Sequence, residues 1–221
     1  MTPIEPAGAV EAPDANEPAA VPPRLHAVTA DEAARAIDRE GAVEAVRALL
    51  TALGRDVESE HLADTPRRVA DAYIELLSPR PFTPTTFPGE GYGELVVVRD
   101  IPFDSLCEHH LLPFRGVAHL GYVPGERIIG LSKLARVVEQ YARDLQVQER
   151  LTRQIADRLV EVLDPAGVGV VLEAEHLCMS LRGVQAPGTR TVTTALTGSV
   201  RDDDRTRREF LDRCGPGRTE H

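Results

Sequence analysis

Apolar residues recur at helical spacing in the stretch that precedes residue 55. Thr29 and Glu32 form a capping-box pattern at its start, and Gly54 ends it. Gly41 interrupts the apolar stripe, which leaves two alternatives open: one kinked helix or two short helices.

A second amphipathic stretch begins at Thr65–Pro66, where a cap residue is followed by proline at the first helical position. It continues through Tyr73 and Leu77 and stops before Pro79. The Pro- and Gly-rich residues 79–93 then predict a long loop or linker.

Beyond this linker the pattern changes to β-branched runs that alternate with helical stripes. Strands are predicted at 94–100, 115–123, 168–175 and 189–200, and helices from Ser132 to Leu145 and over about 147–163. This order favours an α+β domain whose antiparallel sheet is covered by helices on one side.

Composition divides the chain into four segments. Residues 1–23 are rich in Pro, Ala and acidic residues, with no Lys or Arg before Arg24, and predict a disordered tail. Residues 24–92 are the N-terminal helical region and linker, residues 93–201 the domain with the sheet, and residues 202–221 a charged C-terminal segment.

The composition and charge of the chain argue against several classes of function. The 221 residues carry a formal net charge of −10, which argues against general nucleic-acid binding because that needs a basic surface. We expect no membrane span and no signal peptide, since the sequence has no apolar run of the required kind. Three cysteines, Cys107, Cys178 and Cys214, do not resemble a disulfide framework. These features predict a soluble cytoplasmic protein.

Two short clusters combine thiol and imidazole side chains, the ligand types that Zn²⁺ prefers. Cys107 and His110 are three residues apart, so one turn can present both to one ion. His176 and Cys178 alternate by two, so in an extended chain they point to the same face. With His109 as a further candidate, spacing does not choose among these ligands. Four protein ligands would make a closed structural site, whereas three would leave a position for an activated water.

Four motifs occur in an order typical of one enzyme family. They are Ser105–His110, Gly130–Leu134, Gln146–Leu151 and His176–Met179. Together they make the chain similar to the GTP cyclohydrolase I family over about residues 32–197. The resemblance implies the tunnelling fold, with an antiparallel four-stranded sheet, helices on one side and helices before it. It also implies a homo-oligomer, usually a decamer of two stacked pentamers, with active sites between subunits.

The resemblance further implies a reaction. GTP would be hydrolysed at C8 of its guanine ring, with release of formate and formation of 7,8-dihydroneopterin triphosphate, the first step of tetrahydrofolate and pterin biosynthesis. Cys107, His110 and Cys178 match the ligands of one Zn²⁺ per subunit, which leaves the fourth position for water. The matching catalytic residues are His109, His176 and Ser132.

Substrate-binding residues match as well. Gln148 and Glu149 match a guanine-reading pair, in which a carboxylate accepts from N1–H and the 2-amino group; the alternative is a solvated helix start. The cations that match triphosphate contacts are Lys133, Arg136, Arg182 and Arg68. Asp71 departs from the family pattern, where this position is often basic, and Arg67 is the candidate substitute.

Two other interpretations compete with this enzyme. A structural zinc module or non-catalytic relative predicts loss of His109, Glu149 or His176, and all three are present. A nucleobase deaminase predicts His-x-Glu and Pro-Cys-x-x-Cys motifs, and neither occurs in the sequence.

Overall fold

The computed structural model describes residues 37–215 of a mixed α+β protein, so the predicted tail and the Thr29–Glu32 capping box lie outside the described residues. The helices are α1 (Arg39–Ala52), α2 (Thr65–Leu76), α3 (Leu131–Ala142), α4 (Gln148–Leu163), α5 (Leu177–Ser180), α6 (Gly198–Asp202) and α7 (Asp204–Cys214). The strands are β1 (Thr86–Pro88), β2 (Val96–Cys107), β3 (Pro113–Val123), β4 (Arg127–Ile129), β5 (Leu145–Gln146), β6 (Gly167–His176) and β7 (Thr191–Thr197). Within this part of the chain, no helix is long and apolar enough to cross a membrane.

Helix α1 begins at Arg39, two residues before Gly41, and continues to Ala52, whereas the residues before 37, on which the choice between one kinked helix and two short helices depends, lie outside the described residues. The Asp38 carboxylate caps α1 by accepting a hydrogen bond from the Gly41 amide at 2.9 Å. Gly41 therefore lies in the first turn, where a Cβ atom would come within 2.3 Å of the capping carboxylate. Glycine at this position permits the cap and does not break the helix.

Helix α2 is attached to the rest of the domain by two hydrogen bonds. The Tyr73 hydroxyl donates to the Leu111 carbonyl at 2.9 Å, just beyond the end of β2. The Arg143 guanidinium donates to the Glu75 carbonyl at 2.6 Å, which links the end of α2 to the residue after α3. These contacts hold α2 beside the turn that carries the first thiol and imidazole cluster.

The main sheet has five strands in the order β5-β2-β3-β6-β7, not the predicted four. Four of them are antiparallel, and β5 adds to the edge by parallel pairing of Leu106 with Leu145 and Cys107 with Gln146. With two residues, β5 is too short to show a strand period in the sequence. The predicted loop 79–93 also contains a strand, since β1 pairs with β4 in a separate two-stranded sheet.

Strand β2 continues seven residues past its predicted end at Asp100, as far as Cys107. Its register with β3 shifts between Val98 and Ile101, where Asp100 adopts a left-handed φ of 58°. Such a bulge adds one unpaired residue and reverses the inward and outward alternation beyond it. The alternation of inward and outward side chains therefore breaks at the bulge, although the strand itself continues to Cys107, a candidate metal ligand.

Helices α3 and α4 cover one face of the sheet and build the main core. Its fully buried helix residues are Leu134, Val137, Val138, Leu151, Ile155 and Leu159. Their fully buried partners on the strands are Phe114, Leu120, Val170 and Leu172. This packing fixes the start of α4 against the ends of β2 and β6.

The opposite face is also covered by a helix, so the expectation of helices on one side is incomplete. Phe210 of α7 is fully buried, and its ring lies against Gly121 and Gly169. A Cβ at either glycine would come within 2.7 Å or 2.5 Å of the ring. Cys214 at the end of α7 is buried in the same cluster, and burial raises the pKa of its thiol to about 12. The charged C-terminal segment therefore contributes a second apolar layer.

Truncating Phe210 tests this second layer. Phe210→Ala should lower the free energy of unfolding by about 3–5 kcal/mol, because it leaves a cavity over two glycines that cannot fill it. Leu211→Ala is the matched control, since this neighbour is 40% exposed and should cost much less. Urea unfolding of the three proteins measures the difference. Equal losses in the two variants would contradict the packing of α7 on the sheet.

The bulge in β2 is held by a buried histidine. His119 is 5% exposed, and its Nδ1 accepts a hydrogen bond from the Asp100 amide at 3.2 Å. Burial lowers the pKa of His119; Asp100 opposes this shift, Arg99 adds to it and Glu173 opposes it. The neutral imidazole is therefore the form that fits the fold, because a protonated Nδ1 cannot accept this hydrogen bond.

This arrangement predicts a pH dependence of stability. The folded pKa of His119 lies below its unfolded value of about 6.5, so the unfolded chain takes up the proton first as the pH falls. The free energy of unfolding should therefore fall between about pH 6.5 and the folded pKa. His119→Gln should flatten this part of the profile, whereas the exposed His61→Gln should not. Urea unfolding at a series of pH values, at one fixed metal concentration, gives the comparison; identical slopes in wild type and His119→Gln would refute it.

Candidate active site

The register of three strands brings the two thiol and imidazole clusters together. Phe114 of β3 pairs with Ser105 near the end of β2 and with His176 at the end of β6. Because β3 lies between β2 and β6 and is antiparallel to both, β2 and β6 run in the same direction and end at the same edge of the sheet, on either side of β3. Cys107 ends β2, and Cys178 lies in α5 directly after β6. Segments far apart in sequence therefore meet at one edge of the domain.

Cys107, His110 and Cys178 form a set that could hold a metal ion. Their ligand atoms all lie within 4.8 Å of one another, and Cys107 Sγ is 3.8 Å from His110 Nδ1. A tetrahedral zinc ion with its usual bond lengths would place such a sulfur and nitrogen about 3.6 Å apart. Both cysteines are buried and His110 is exposed. The donor types and their separations fit a small thiophilic cation.

The turn after Cys107 presents His110 to this position. The amides of His110 and Leu111 both donate to the Cys107 carbonyl, at 3.3 and 2.8 Å, and Leu111 has a left-handed φ of 54°. His109 Nδ1 is also 3.8 Å from Cys107 Sγ, but the His109 and His110 rings are nearly perpendicular, at 78°. Among the described residues, the set within mutual ligand distance includes neither His109 nor His176.

The electrostatics of the thiols also favour a bound cation. Burial raises the pKa of the Cys178 thiol, the nearby Cys107 raises it further, and Arg182 partly opposes both. Two buried sulfur atoms at this distance are costly to ionise together without a positive charge between them. A divalent cation supplies that charge and stabilises both thiolates.

His176 is held by two contacts beside this set. Its ring stacks on Phe114, with centroids 4.5 Å apart and an interplanar angle of 1°. Its Nε2 lies 2.9 Å from Gln148 Oε1. Burial lowers the pKa of His176, and the charge of Glu149 opposes that shift. The resting side chain is therefore a neutral imidazole in a fixed orientation.

The amide of Gln148 sets the tautomer of His176. Gln148 is 2% exposed, and its Nε2 lies near three acceptors, Leu172 O at 3.2 Å, Thr191 O at 2.9 Å and Thr193 Oγ1 at 3.1 Å. Because this nitrogen faces acceptors, the amide oxygen faces His176, whose Nε2 must carry the proton. The side chain of Gln148 is thus engaged with the protein, whereas that of Glu149 is exposed.

An open cavity of about 310 Å³ lies over these residues. Besides the buried Gln148, six of the predicted site residues line it: Cys107, His109, His110, Glu149, His176 and Cys178. The other predicted residues do not line it in the single chain: Ser132, Lys133 and Arg136 on α3, Arg182 after α5 and Arg68 on α2. The structure therefore brings together the metal candidates, both histidines and the carboxylate, but not the cations.

Glu175, which the sequence does not identify as a site residue, stabilises the segment that contains Cys178. Glu175 Oε1 accepts hydrogen bonds from Ser180 Oγ at 2.5 Å and from the Gly188 amide at 3.2 Å. The Ser180 hydroxyl is the largest cause of the lowered pKa of Glu175. Neither hydrogen bond can be predicted from the sequence, because a glutamate at the end of a strand is usually exposed to solvent.

Comparison with known proteins identifies the family. The sequence pattern that defines GTP cyclohydrolase I matches residues 42–215, most of the chain. The chain belongs to the GTP cyclohydrolase I family. It is 50% identical over 196 residues to GTP cyclohydrolase 1 of Gloeobacter violaceus, covering 82% of this chain and 89% of that protein. It is 54% identical over 177 residues to GTP cyclohydrolase 1 of Aquifex aeolicus, covering 80% and 96%, and 54% identical over 172 residues to that of Streptomyces coelicolor, covering 75% and 85%.

Asp71, the departure from the pattern expected of GTP cyclohydrolase I, is neutralised within the chain. Arg39 of α1 donates to both of its carboxylate oxygens, at 2.6 and 2.8 Å, and this contact lowers the pKa of Asp71. Arg67 lies 3.6 Å from Asp71 and 3.6 Å from Asp64. The acidic residue therefore ties α1 to α2, and Arg67 is shared between two carboxylates.

Removing one thiol tests the metal set. Cys178→Ala should weaken binding of a divalent metal by more than the roughly 10–100-fold that changes around a ligand usually cause. Cys214→Ala is the matched control, because this buried cysteine lies in the cluster under α7 and outside the set. Metal content after dialysis, measured by mass spectrometry, should fall only for Cys178→Ala. Retention of metal by that variant would exclude Cys178 as a ligand.

Proposed function

We propose that this chain is a zinc-dependent GTP cyclohydrolase I, which hydrolyses the guanine ring of GTP at C8, releases formate and forms 7,8-dihydroneopterin triphosphate. The observation that carries the proposal is the Cys107, His110 and Cys178 set beside a fixed His176, in a chain of this family. The reaction would be the first step of tetrahydrofolate and pterin biosynthesis, in the cytoplasm.

Zinc is the metal that the donor set favours. Two thiolates and one imidazole suit a borderline-soft cation, and three protein ligands leave one coordination position for catalysis. When bound, zinc supplies Lewis-acid chemistry that activates water near neutral pH. His109 and His176 are then free for substrate and proton transfer, since their nitrogens lie outside the ligand set.

His176 is the proposed proton donor to the guanine imidazole nitrogen as that ring opens. It lines the cavity beside Cys178, and Gln148 and Phe114 restrict its ring. Its lowered pKa favours the neutral form at rest, and the opposing charge of Glu149 keeps the protonated form accessible. His109 and Ser132 are proposed to act near the ribose in the later steps.

Glu149 is the proposed guanine-reading residue. Its carboxylate is exposed at the start of α4 and lines the cavity, where it can accept from N1–H and the 2-amino group. Adenine lacks this donor pair, so the carboxylate would discriminate against it. The buried side chain of Gln148 is proposed to act on the substrate through His176, because its amide is already engaged with the protein.

Lys133, Arg136, Arg182 and Arg68 are the proposed triphosphate contacts. They lie outside the cavity of the single chain, which supports an active site completed by a second subunit. Leu131 lies two residues before Lys133 and Leu181 directly before Arg182, and their side chains are 63% and 66% exposed, so a neighbouring subunit would bury apolar surface at these positions. We therefore propose a homo-oligomer, a decamer of tunnelling-fold subunits, with GTP bound between them.

The direct test is incubation of the zinc-loaded protein with GTP, followed by assay of formate and pterin fluorescence. The wild type should release both products, and His176→Gln should lower kcat by about 10²–10⁴-fold, the usual contribution of a general acid. The variant should keep its zinc, whereas His61→Gln, changed at an exposed residue, should keep full activity. Absence of turnover in the zinc-replete wild type would refute the activity, and loss of zinc from His176→Gln would make His176 a ligand.

A further inference from the structure

We propose that Arg150 is a positioning residue, which locks the turn carrying the metal ligands to the start of α4. Its function in catalysis rests on the proposed function, since the start of α4 carries the guanine-reading Glu149. Arg150 itself lies outside the metal set and does not line the cavity; its contact with the cavity is through the lining residue Gln146.

The guanidinium of Arg150 binds three acceptors from two segments. Its Nη2 donates to the Glu108 carboxylate at 2.5 Å and to the Leu145 carbonyl at 2.7 Å. Its Nε donates to Gln146 Oε1 at 3.0 Å. Glu108 follows Cys107 directly, while Leu145 and Gln146 form β5, immediately before α4.

Both ends of this connection are anchored. On one side, the Glu108 amide donates to the Gln146 carbonyl at 3.1 Å, which continues the pairing of β2 with β5. On the other side, Gln146 is 2% exposed, and its Nε2 donates to Tyr141 O at 2.9 Å and Gln154 Oε1 at 2.8 Å. Movement of the Cys107–His110 turn relative to α4 would therefore break several hydrogen bonds at once.

Arginine suits this position better than lysine. The planar guanidinium donates through separate nitrogens in a fixed geometry, so one side chain can satisfy a carboxylate, a carbonyl and an amide oxygen together. A lysine would keep the positive charge but would have no Nε–H for Gln146.

The expected effect is on alignment more than on stability. The Arg150 and Glu108 side chains are 42% and 33% exposed, and ion pairs at such exposure contribute little to the free energy of unfolding. Substitution of a residue that orients a metal ligand, by contrast, typically lowers metal affinity or activity by about 10–100-fold. Metal affinity thus separates a positioning residue from an ordinary surface ion pair.

The test compares Arg150→Met, Arg150→Lys and Glu108→Gln with the control Arg153→Met. Arg153 lies three residues further along α4 and, among residues 37–215, its side chain pairs with Asp157 alone, at 3.1 Å. Zinc affinity of the full chain is measured by competition with a chromophoric chelator, and the melting temperature is recorded for each protein. We expect Arg150→Met to bind zinc at least about 10-fold more weakly, with Arg150→Lys intermediate and Arg153→Met unchanged. The double variant Arg150→Met/Glu108→Gln should be no weaker than the worse single variant, since the two residues act as one unit.

Zinc affinity of Arg150→Met and Arg150→Lys within about two-fold of wild type would overturn the proposal. An equal loss in Arg153→Met would overturn it too, because the effect would then belong to α4 in general. The affinity assay contains no GTP, so failure of the proposed activity leaves this test intact. If the wild type turns over GTP, Arg150→Met should lower kcat more than it raises KM, and an unchanged kcat would refute the catalytic part alone.

Discussion

The pairing of β3 with both β2 and β6 is the constraint on which the site depends. Phe114 pairs with Ser105 on one side and with His176 on the other, so β2 and β6 end at the same edge of the sheet, on either side of β3. A shift of either strand by one residue would turn its side chains to the opposite face. The separation of Cys107 from Cys178 is therefore a consequence of sheet register, which the buried residues of α3 and α4 fix from one side and Phe210 from the other.

Polar side chains outside the metal set determine how the residues of the site are oriented. Gln148 is buried with its amide nitrogen near backbone carbonyls, and this orientation alone decides which nitrogen of His176 carries the proton. Glu175 orders the segment that follows β6, and Arg150 connects the turn after β2 to α4. Each of these side chains is hydrogen-bonded within the protein, whereas His109 and Glu149, which line the cavity, are exposed.

The sequence indicated the candidate metal ligands more clearly than the contacts that hold them in place. Cys107, His110, His176 and Cys178 lie in short continuous motifs, so their ligand types and spacing are visible without a structure. The choice among them needed the family resemblance, because spacing left His109 and His176 open as ligands. Strand β5 has two residues and no period, and the bulge at Asp100 hid the last part of β2. The burial of Phe210 depends on two glycines on other strands, and the contact of Arg150 with Glu108 depends on the pairing of β5; neither is encoded locally. The sequence shows that Asp71 is unusual for the family, but it does not show that Arg39, 32 residues away, is its partner.

Three side chains are proposed to hold the metal, with both neighbouring histidines outside its coordination shell. X-ray absorption spectroscopy of the zinc-loaded protein tests this most directly, because it counts sulfur and imidazole ligands separately. We expect two sulfur ligands at about 2.3 Å, one imidazole, and a remaining light-atom ligand that is not imidazole. A signal from two imidazoles would place His109 or His176 on the metal, close the site and contradict the account.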